Sequence, residues 1–488
     1  MDRSLILRSI VNLSISEVIS RLLNFISYIY LARVILAEGF GIISFVIAFS
    51  SYFLLIVNFS SDIIASRETA RLIDNTHKPD GNQTRQARLA AFFPERSKQR
   101  TRQVLLPELK HTHLQTDLSI FVNKILSLRI ILACLGYMLL VCMVACMTQS
   151  AVIKTGLLIY GLTFFAQAIN LSWYFKGREK TAAITFAQIS SSLVNLLLVI
   201  VLVKNKTDLT GAIVIFTSAA FINSMLMLMI YKRKEKKSLM LDAGLRREQK
   251  TRLILDTGLR REGKGRLILD AGFIRRNLKE SFPVAFAGVM ISVYYNLDHV
   301  MLGYMTDSTE LGYYAAAYKI IIIALVPAGI IYQSFLPQLS NCVNDPVIRK
   351  DLMKIYSNWM FVLGAVSTVI IFLFANQIVE IVYGGKFEES VLLMRILSFN
   401  IILVFLNMTY GSPLIAWNEQ KLFSYPIAAA AIGNIILNIL LIPRYHAVGA
   451  AVATISSELI VLAGFLPLHK KVVKHMQTQT ILEVQSVT

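Results

Sequence analysis

Long apolar runs, each bounded by Gly, Pro, Asn or charge, dominate this chain: residues 10–33, 40–60, 120–147, 151–173, 181–203, 209–231, 281–304, 311–336, 357–376, 391–416, 422–442 and 447–468. A helix of about 20 apolar residues matches the roughly 30 Å hydrocarbon layer of a bilayer. Lipid supplies no hydrogen-bond partners, so each backbone group must bond within its own segment, and hydrophobicity without alternation selects helices over barrel strands. Composition agrees, with 55% hydrophobic and 16% charged residues in 488, where soluble domains carry about 25% charged residues. A water-soluble globular enzyme is excluded. The expectation is an all-α membrane protein of twelve transmembrane helices with little room for extramembrane domains.

Sidedness follows from Lys and Arg. The connecting segments on the side of the N-terminus hold 38 of them and the opposite segments 5; without the two long basic loops the ratio is still 12 to 5. Both termini are therefore expected in the cytoplasm. The start, MDRSLILRSIVNLSISEVIS, places a basic stretch before an apolar one with no small-x-small cleavage site after it, and reads as an uncleaved signal anchor. The net charge of +19 is accounted for by topology, so nucleic acid is not an expected partner, whereas anionic membrane lipids are. Cys134, Cys142, Cys146 and Cys342 form no CxxC pair and read as packing residues, with neither disulfide framework nor metal site.

The two halves of the chain share a pattern. Asn24 followed by LARVILAEGFG to Gly41 parallels Asn296 followed by MLGYMTDSTELG to Gly312, an offset of 271 to 272. Glu179–Lys180 parallels Gln420–Lys421 at an offset of 241, and Asn195 with Gly211 parallels Asn434 with Gly449 at 238 to 239. Six helices per half preserve orientation, which predicts two pseudo-symmetric six-helix bundles, as in transporters built from parallel repeats. The expected organisation is 1–231 for the first bundle, 281–468 for the second, 232–280 for a basic cytoplasmic linker and 469–488 for a tail. The drop in offset is taken up by the 61–119 loop, whose insert at 75–113 reads as a solvated, mostly disordered segment. Within 239–280 a 14-residue unit recurs (LMLDAGLRREQKTR, LILDTGLRREGKGR, LILDAGFIRRNLKE); its repeated glycines penalise a continuous helix by about 1 kcal/mol each, and a linker resting on the inner leaflet is the expected role.

Six basic residues fall within apolar runs: Arg21, Arg33, Lys124, Arg129, Lys319 and Arg395. Charges at such depth are expensive unless paired or hydrated, and so mark cavities and pathways. Arg33 and Lys124 lie near helix ends and can snorkel. Glu17, Arg21, Asn24 and Tyr28 share one helical stripe, which suits either a cavity wall or a self-neutralising Glu17–Arg21 pair. Asp298 and Glu458 are the other acids at depth; each could take a proton or Na⁺, and Asp298 could equally pair with Lys319. Pro327, Pro413, Pro426 and Pro467 place the expected bends in the second half. The chain has no Walker A sequence, GxSxG, HExxH or exposed carboxylate pair, and its outer loops are short. No enzymatic activity, cofactor or metal is expected; the chain should move a substrate and leave it chemically unchanged.

In RLLNFISYIYLARVILAEGFGIISF (21–45), NFSSDIIASRETAR (58–71), FVNKILSLRIILACLGY (121–137), NLDHVMLGYMTDSTELGYYAAAYKI (296–320), YGGKFEESVLLMRILSF (383–399) and IPRYHAVGAAVATISSELI (442–460), the chain resembles the polysaccharide biosynthesis flippases. These are the Wzx-type O-antigen and exopolysaccharide translocases, in the superfamily that includes multidrug and toxin extrusion exporters. The resemblance covers nearly the whole chain except the two basic loops. It implies a bacterial inner-membrane protein that moves an undecaprenyl-diphosphate-linked oligosaccharide from the inner to the outer leaflet by alternating access, driven by an ion gradient. A polysaccharide polymerase and glycosyltransferases are the implied protein partners. A diphosphate in a low-dielectric cavity needs cations, for which Arg21, Arg129, Lys319 and Arg395 are the candidates; Glu17, Asp298 and Glu458 are the candidates for ion coupling. A peptidoglycan-precursor flippase, an efflux antiporter and a non-transporting scaffold for glycosyltransferases are the competing readings. The excess of intramembrane bases over acids favours anionic cargo.

Overall fold

The computed structural model describes residues 3–59, 61–77, 95–243, 270–342, 345–417 and 419–487, and all of its regular elements are helical. In chain order they are α1 (Arg3–Asn58), α2 (Ser61–His77), α3 (Glu95–Cys146), α4 (Ala151–Gly161), α5 (Thr163–Ala168), α6 (Ser172–Gly177), α7 (Ala182–Leu202), α8 (Leu209–Ala243), α9 (Ala271–Met305), α10 (Ser308–Ala324), α11 (Val326–Asn341), α12 (Pro346–Leu373), α13 (Ala375–Tyr383), α14 (Glu389–Ala416) and α15 (Gln420–Val487). Among the described residues, nine helical segments are long and apolar enough to cross a membrane. Two of these, Val18–Asn58 and Lys421–Thr478, run to 41 and 58 residues, each about twice what one crossing of roughly 30 Å takes.

Both long segments contain a reversal. Leu36 has φ 63° and His446 φ 49°, left-handed backbone inside otherwise regular helix. A straight helix would hold residues 28 and 40 about 18 Å apart, yet the rings of Tyr28 and Phe40 meet edge to face at 6.2 Å. Beyond His446, Gly449 lies against Leu441, Gly433 against Ile460 and Gly464 against Pro426, an antiparallel hairpin. Helix order is readable from other contacts. Asn24 meets Ser192, Ser27 meets Asn195 and Tyr30 meets Val203, so the first limb of α1 runs parallel to α7. Tyr356 bonds Met408 O and Thr368 bonds Ser398 O, so α12 and α14 run antiparallel.

One apolar core draws on both halves of the sequence, from Leu31 to Ile215 and from Leu302 to Ala451. Two smaller cores stay within one half each, around Trp173 and Met227 and around Trp417 and Phe465. The halves are thus fused at one end. There α1 and α10 approach so closely that a Cβ on Gly41 would collide with Ser308 O and one on Gly312 with Ala37 O. These two glycines are the matched ends of the internal repeat. Phe45 packs on Gly303, Gln149 donates to Gly303 O at 3.1 Å, and Phe40 meets both Tyr383 and Phe387. Arg33 donates Nε to Val382 O at 2.8 Å and a terminal nitrogen to Ile381 O, holding carbonyls at the C-terminus of α13, where a cation also suits the helix dipole. At the opposite end Lys124 pairs with Asp270 at 2.7 Å.

Several expectations change. The third span extends back to Glu95, where a loop was expected, because Glu95–Gln115 is rich in Arg, Lys, Leu, Gln and Glu, all good helix formers. Helix also continues into the expected linker as far as Ala243 and into the tail as far as Val487. The 311–336 run is interrupted at Leu325, with Pro327 in the first turn of the next helix. Cys134, Cys142 and Cys146 are exposed on the outer face of α3 and do not pack; Cys342 is buried. Most of the 75–113 insert before Glu95 and most of the tandem repeat lie outside the described residues. Replacing Gly312 by Ala forces the α1–α10 contact apart; the expected result is a lower thermal midpoint in detergent, by overpacking of about 1–3 kcal/mol. Gly211, with nothing within 4 Å of its would-be Cβ, should tolerate the same change.

Candidate functional site

A cavity of about 410 Å³ opens between α1, α7 and α8, midway along each helix. Ser20, Arg21, Asn24 and Tyr28 line it from the first limb of α1, Gln188, Ser191, Ser192 and Asn195 from α7, and Phe216 and Asn223 from α8. The α1 residues share the stripe that sequence spacing placed on one face, and α7 adds a second stripe with i, i+4 steps from Gln188 to Ser192 and from Ser191 to Asn195. Polar residues here are enclosed by helices whose outward residues, such as Leu22, Phe186, Leu193 and Leu197, are exposed and apolar. Tyr28 stacks on Phe216 at 5.2 Å. From the other half, the Lys319 ammonium sits 4.0 Å above the Tyr28 ring, a cation–π contact between α10 and α1.

A second polar cluster lies in the C-terminal half. Asp298, 3% exposed, accepts from Tyr314 Oη at 2.9 Å, Thr454 Oγ1 at 2.6 Å and Asn438 Nδ2 at 2.6 Å. Asn434 accepts from the same Asn438 amide at 3.0 Å, and Thr454 also bonds Ala450 O at 2.9 Å. Four helical segments converge: α9, α10 and the two limbs of α15. All the groups that hold the carboxylate are neutral. The Asp298–Lys319 bridge left open by the sequence is not formed, because Lys319 points to Tyr28. His299 packs between Tyr314 and Tyr318, 5.2 Å from each ring. One helical turn on from Thr454, Glu458, 4% exposed, accepts from Asn407 Nδ2 at 2.5 Å.

The expected site residues therefore divide. Arg21 lines the cavity and Lys319 backs its wall. Arg129 does not line it: the side chain is 0% exposed and pairs with Asp62 at 2.5 Å, bonds Asn170 O at 3.3 Å and lies over the Trp173 ring. This correction has a plain cause, since Asp62 at the start of α2 folds back against α3 and a buried guanidinium takes the nearest carboxylate. Arg395 is half-buried on α14 and does not line the cavity either. Asp298 and Glu458 are buried in the second cluster, and the Glu17 side chain lies outside the described residues. Sequence reasoning missed Asn195, Asn223 and Gln188 as cavity residues and Asn438 and Thr454 as partners of Asp298. The i, i+4 pairs Asn434/Asn438 and Thr454/Glu458 were the available signal.

Comparison with known proteins finds relatives by sequence and by fold. The profile of the family described as polysaccharide biosynthesis protein matches residues 6–79 and 103–343. A relative from Escherichia coli strain K12, named as an O-antigen transporter, is 23% identical over 471 residues, covering 94% of this chain and 95% of that one. Among solved structures, an inward-facing multidrug resistance MATE family transporter of the MOP superfamily aligns over 96% of this chain and 99% of its own with a TM-score of 0.63 at 12% identity. The lipid II flippase MurJ aligns over 96% and 90% with a TM-score of 0.60 at 14% identity. The fold is that of these transporters. Arg129→Leu leaves Asp62 facing an apolar partner; stability in detergent is expected to fall by about 1–3 kcal/mol, less than for a fully buried pair because Asp62 reaches solvent. Adding Asp62→Asn should recover most of that loss, and thermal unfolding of the single and double variants checks it.

Proposed function

The chain belongs to the polysaccharide biosynthesis protein family, and we propose that it is a flippase carrying an undecaprenyl-diphosphate-linked oligosaccharide repeat unit from the inner to the outer leaflet of the cytoplasmic membrane. The product would feed O-antigen or exopolysaccharide synthesis, with a polymerase and glycosyltransferases as partners. The observation that carries this reading is the polar cavity, cation included, enclosed by helices with apolar outer faces. A membrane anchor has no use for such a cavity, whereas a hydrophilic headgroup crossing a bilayer requires one. The names of the relatives, an O-antigen transporter and a lipid II flippase, support glycan-bearing cargo.

Arg21 and Lys319 are the headgroup cations in this reading, one from each half of the sequence. In this reading there are twelve crossings in two bundles of six, counting the nine apolar segments, with the two longest divided at Leu36 and His446, together with α9. With both termini in the cytoplasm, the fused end near Gly41 and Gly312 faces outward, and cargo enters from the inner side. Release then requires that end to part.

Coupling falls to Asp298. A carboxylate buried among neutral donors is costly to keep charged, and uptake of H⁺ or Na⁺ offsets that cost. A proton needs only the carboxylate, whereas Na⁺ would draw on the carboxylate and on the Thr454 hydroxyl oxygen beside it. Glu458 is the second carboxylate available to the same process. Complementation of a strain lacking its O-unit flippase tests the proposal at equal membrane abundance. Wild type and Arg395→Ala are expected to restore surface polysaccharide, Asp298→Asn to abolish it and Arg21→Ala to reduce it severely. Full restoration by Asp298→Asn would remove that carboxylate from the coupling step.

A further inference from the structure

We infer that the α1–α7–α8 cavity is the seat of the sugar portion of the cargo, where Ser20, Asn195 and Asn223 read hydroxyl groups and Arg21 takes the adjoining anionic group. The inference rests on the flippase reading and specifies which part of the cargo this site recognises.

Buried polar atoms in folded proteins nearly always have a partner, and exceptions call for one. Ser20 Oγ, Asn195 Oδ1 and Asn223 Oδ1 are buried atoms with no hydrogen-bond partner among the described residues, and all three residues line this one cavity. Asn195 is 1% exposed, too enclosed for bulk solvent to serve it. The pattern of internal bonds explains why oxygens are left over. Asn195 spends its Nδ2 on Ser27 Oγ at 3.4 Å, and Asn24 spends its Nδ2 on Ser192 Oγ at 3.3 Å. These bonds join α1 to α7 and consume amide donors, so the wall is left rich in acceptors.

That surplus discriminates between parts of a lipid-linked glycan. A diphosphate carries acceptor oxygens only; it can accept from the Ser20 hydroxyl but satisfies neither Asn195 Oδ1 nor Asn223 Oδ1. A sugar ring presents several O–H donors, and an acetamido sugar an N–H as well, at the spacing of neighbouring side chains. The stacked Tyr28–Phe216 pair gives the cavity an aromatic wall beside these polar groups, suited to the apolar face of a pyranose. The volume, about 410 Å³, lies within the roughly 300–1,000 Å³ of small-molecule sites. Arg21 and Lys319 near the same wall give the phosphate groups that join sugar to lipid their own place beside the sugar.

The test uses the full chain in lipid nanodiscs and two probes, a polyprenyl diphosphate without sugar and the same lipid bearing an acetamido-sugar oligosaccharide. Asn195→Leu and Asn223→Leu are each expected to weaken binding of the glycan-bearing lipid about tenfold, as loss of one hydrogen bond to an enclosed acceptor does. The bare lipid should bind these variants within about twofold of wild type, and Arg21→Gln should weaken both probes. Asn223→Ala removes the same amide oxygen without adding apolar bulk and carries the test if either leucine variant melts early. Equal losses for both probes, or unchanged binding of the glycan-bearing lipid, overturn the assignment. If wild type binds neither probe, the flippase reading itself falls, and that outcome is distinct from failure of the sugar seat alone.

Discussion

A polar side chain midway along a membrane-length helix has no bulk water to fall back on, so its partner is drawn from its own helix, from a neighbouring helix or from what enters a cavity. That requirement ties this structure together. Asn24 with Ser192 and Ser27 with Asn195 bind the first limb of α1 to α7. In the second half, Asp298 is bound by Tyr314, Thr454 and Asn438 from three further segments. The apolar remainder of each helix supplies close packing but little choice of register, because lipid tails are as good a neighbour as Leu. Register is set where hydrogen bonds and small residues meet.

The two polar centres occupy related places in the internal repeat. Asn24 and Asn195 match Asn296 and Asn434, and the first pair belongs to the cavity while Asn434 stands beside Asp298 and Asn438. Matched positions thus stand in two environments that differ in charge. In the first half the amides border open space. In the second, a carboxylate takes up the amide and hydroxyl donors, and Asp298, Asn434, Asn438 and Thr454 are all buried. Lys319 on Tyr28 links them, since the α10 helix that carries Tyr314 to Asp298 also carries the ammonium to the cavity wall.

The ends of the molecule differ for a physical reason that bears on movement. At one end backbone meets backbone at Gly41 and Gly312, and Arg33 grips the carbonyls of α13. At the other, each half keeps its own apolar core, and the charged pair Lys124–Asp270 stands between them. Arg33 and Lys124 were set aside from sequence as snorkelling residues. Arg33 instead bonds across the halves, to the carbonyls of α13, and Lys124 pairs with Asp270 just before α9. A sequence shows how near a helix end a charge lies, but which partner comes within reach depends on how the helices are arranged.

Hydrophobic run length alone determined that the chain is helical and membrane-spanning, because the bilayer permits little else and the requirement is local to each segment. Local spacing also placed the α1 stripe with Arg21, Asn24 and Tyr28 on one face, and the repeat marked Gly41 and Gly312 as equivalent positions. What depended on tertiary structure was pairing. Arg21 and Arg129 are both intramembrane arginines, yet one lines a cavity and the other is locked to Asp62 across 67 positions. Asp298 gains meaning only with Asn438 and Thr454, which lie 140 and 156 residues along the chain. A residue's depth in the membrane is written in its own helix; whether it meets a cavity, a carboxylate or a ring is decided by which helices pack against it.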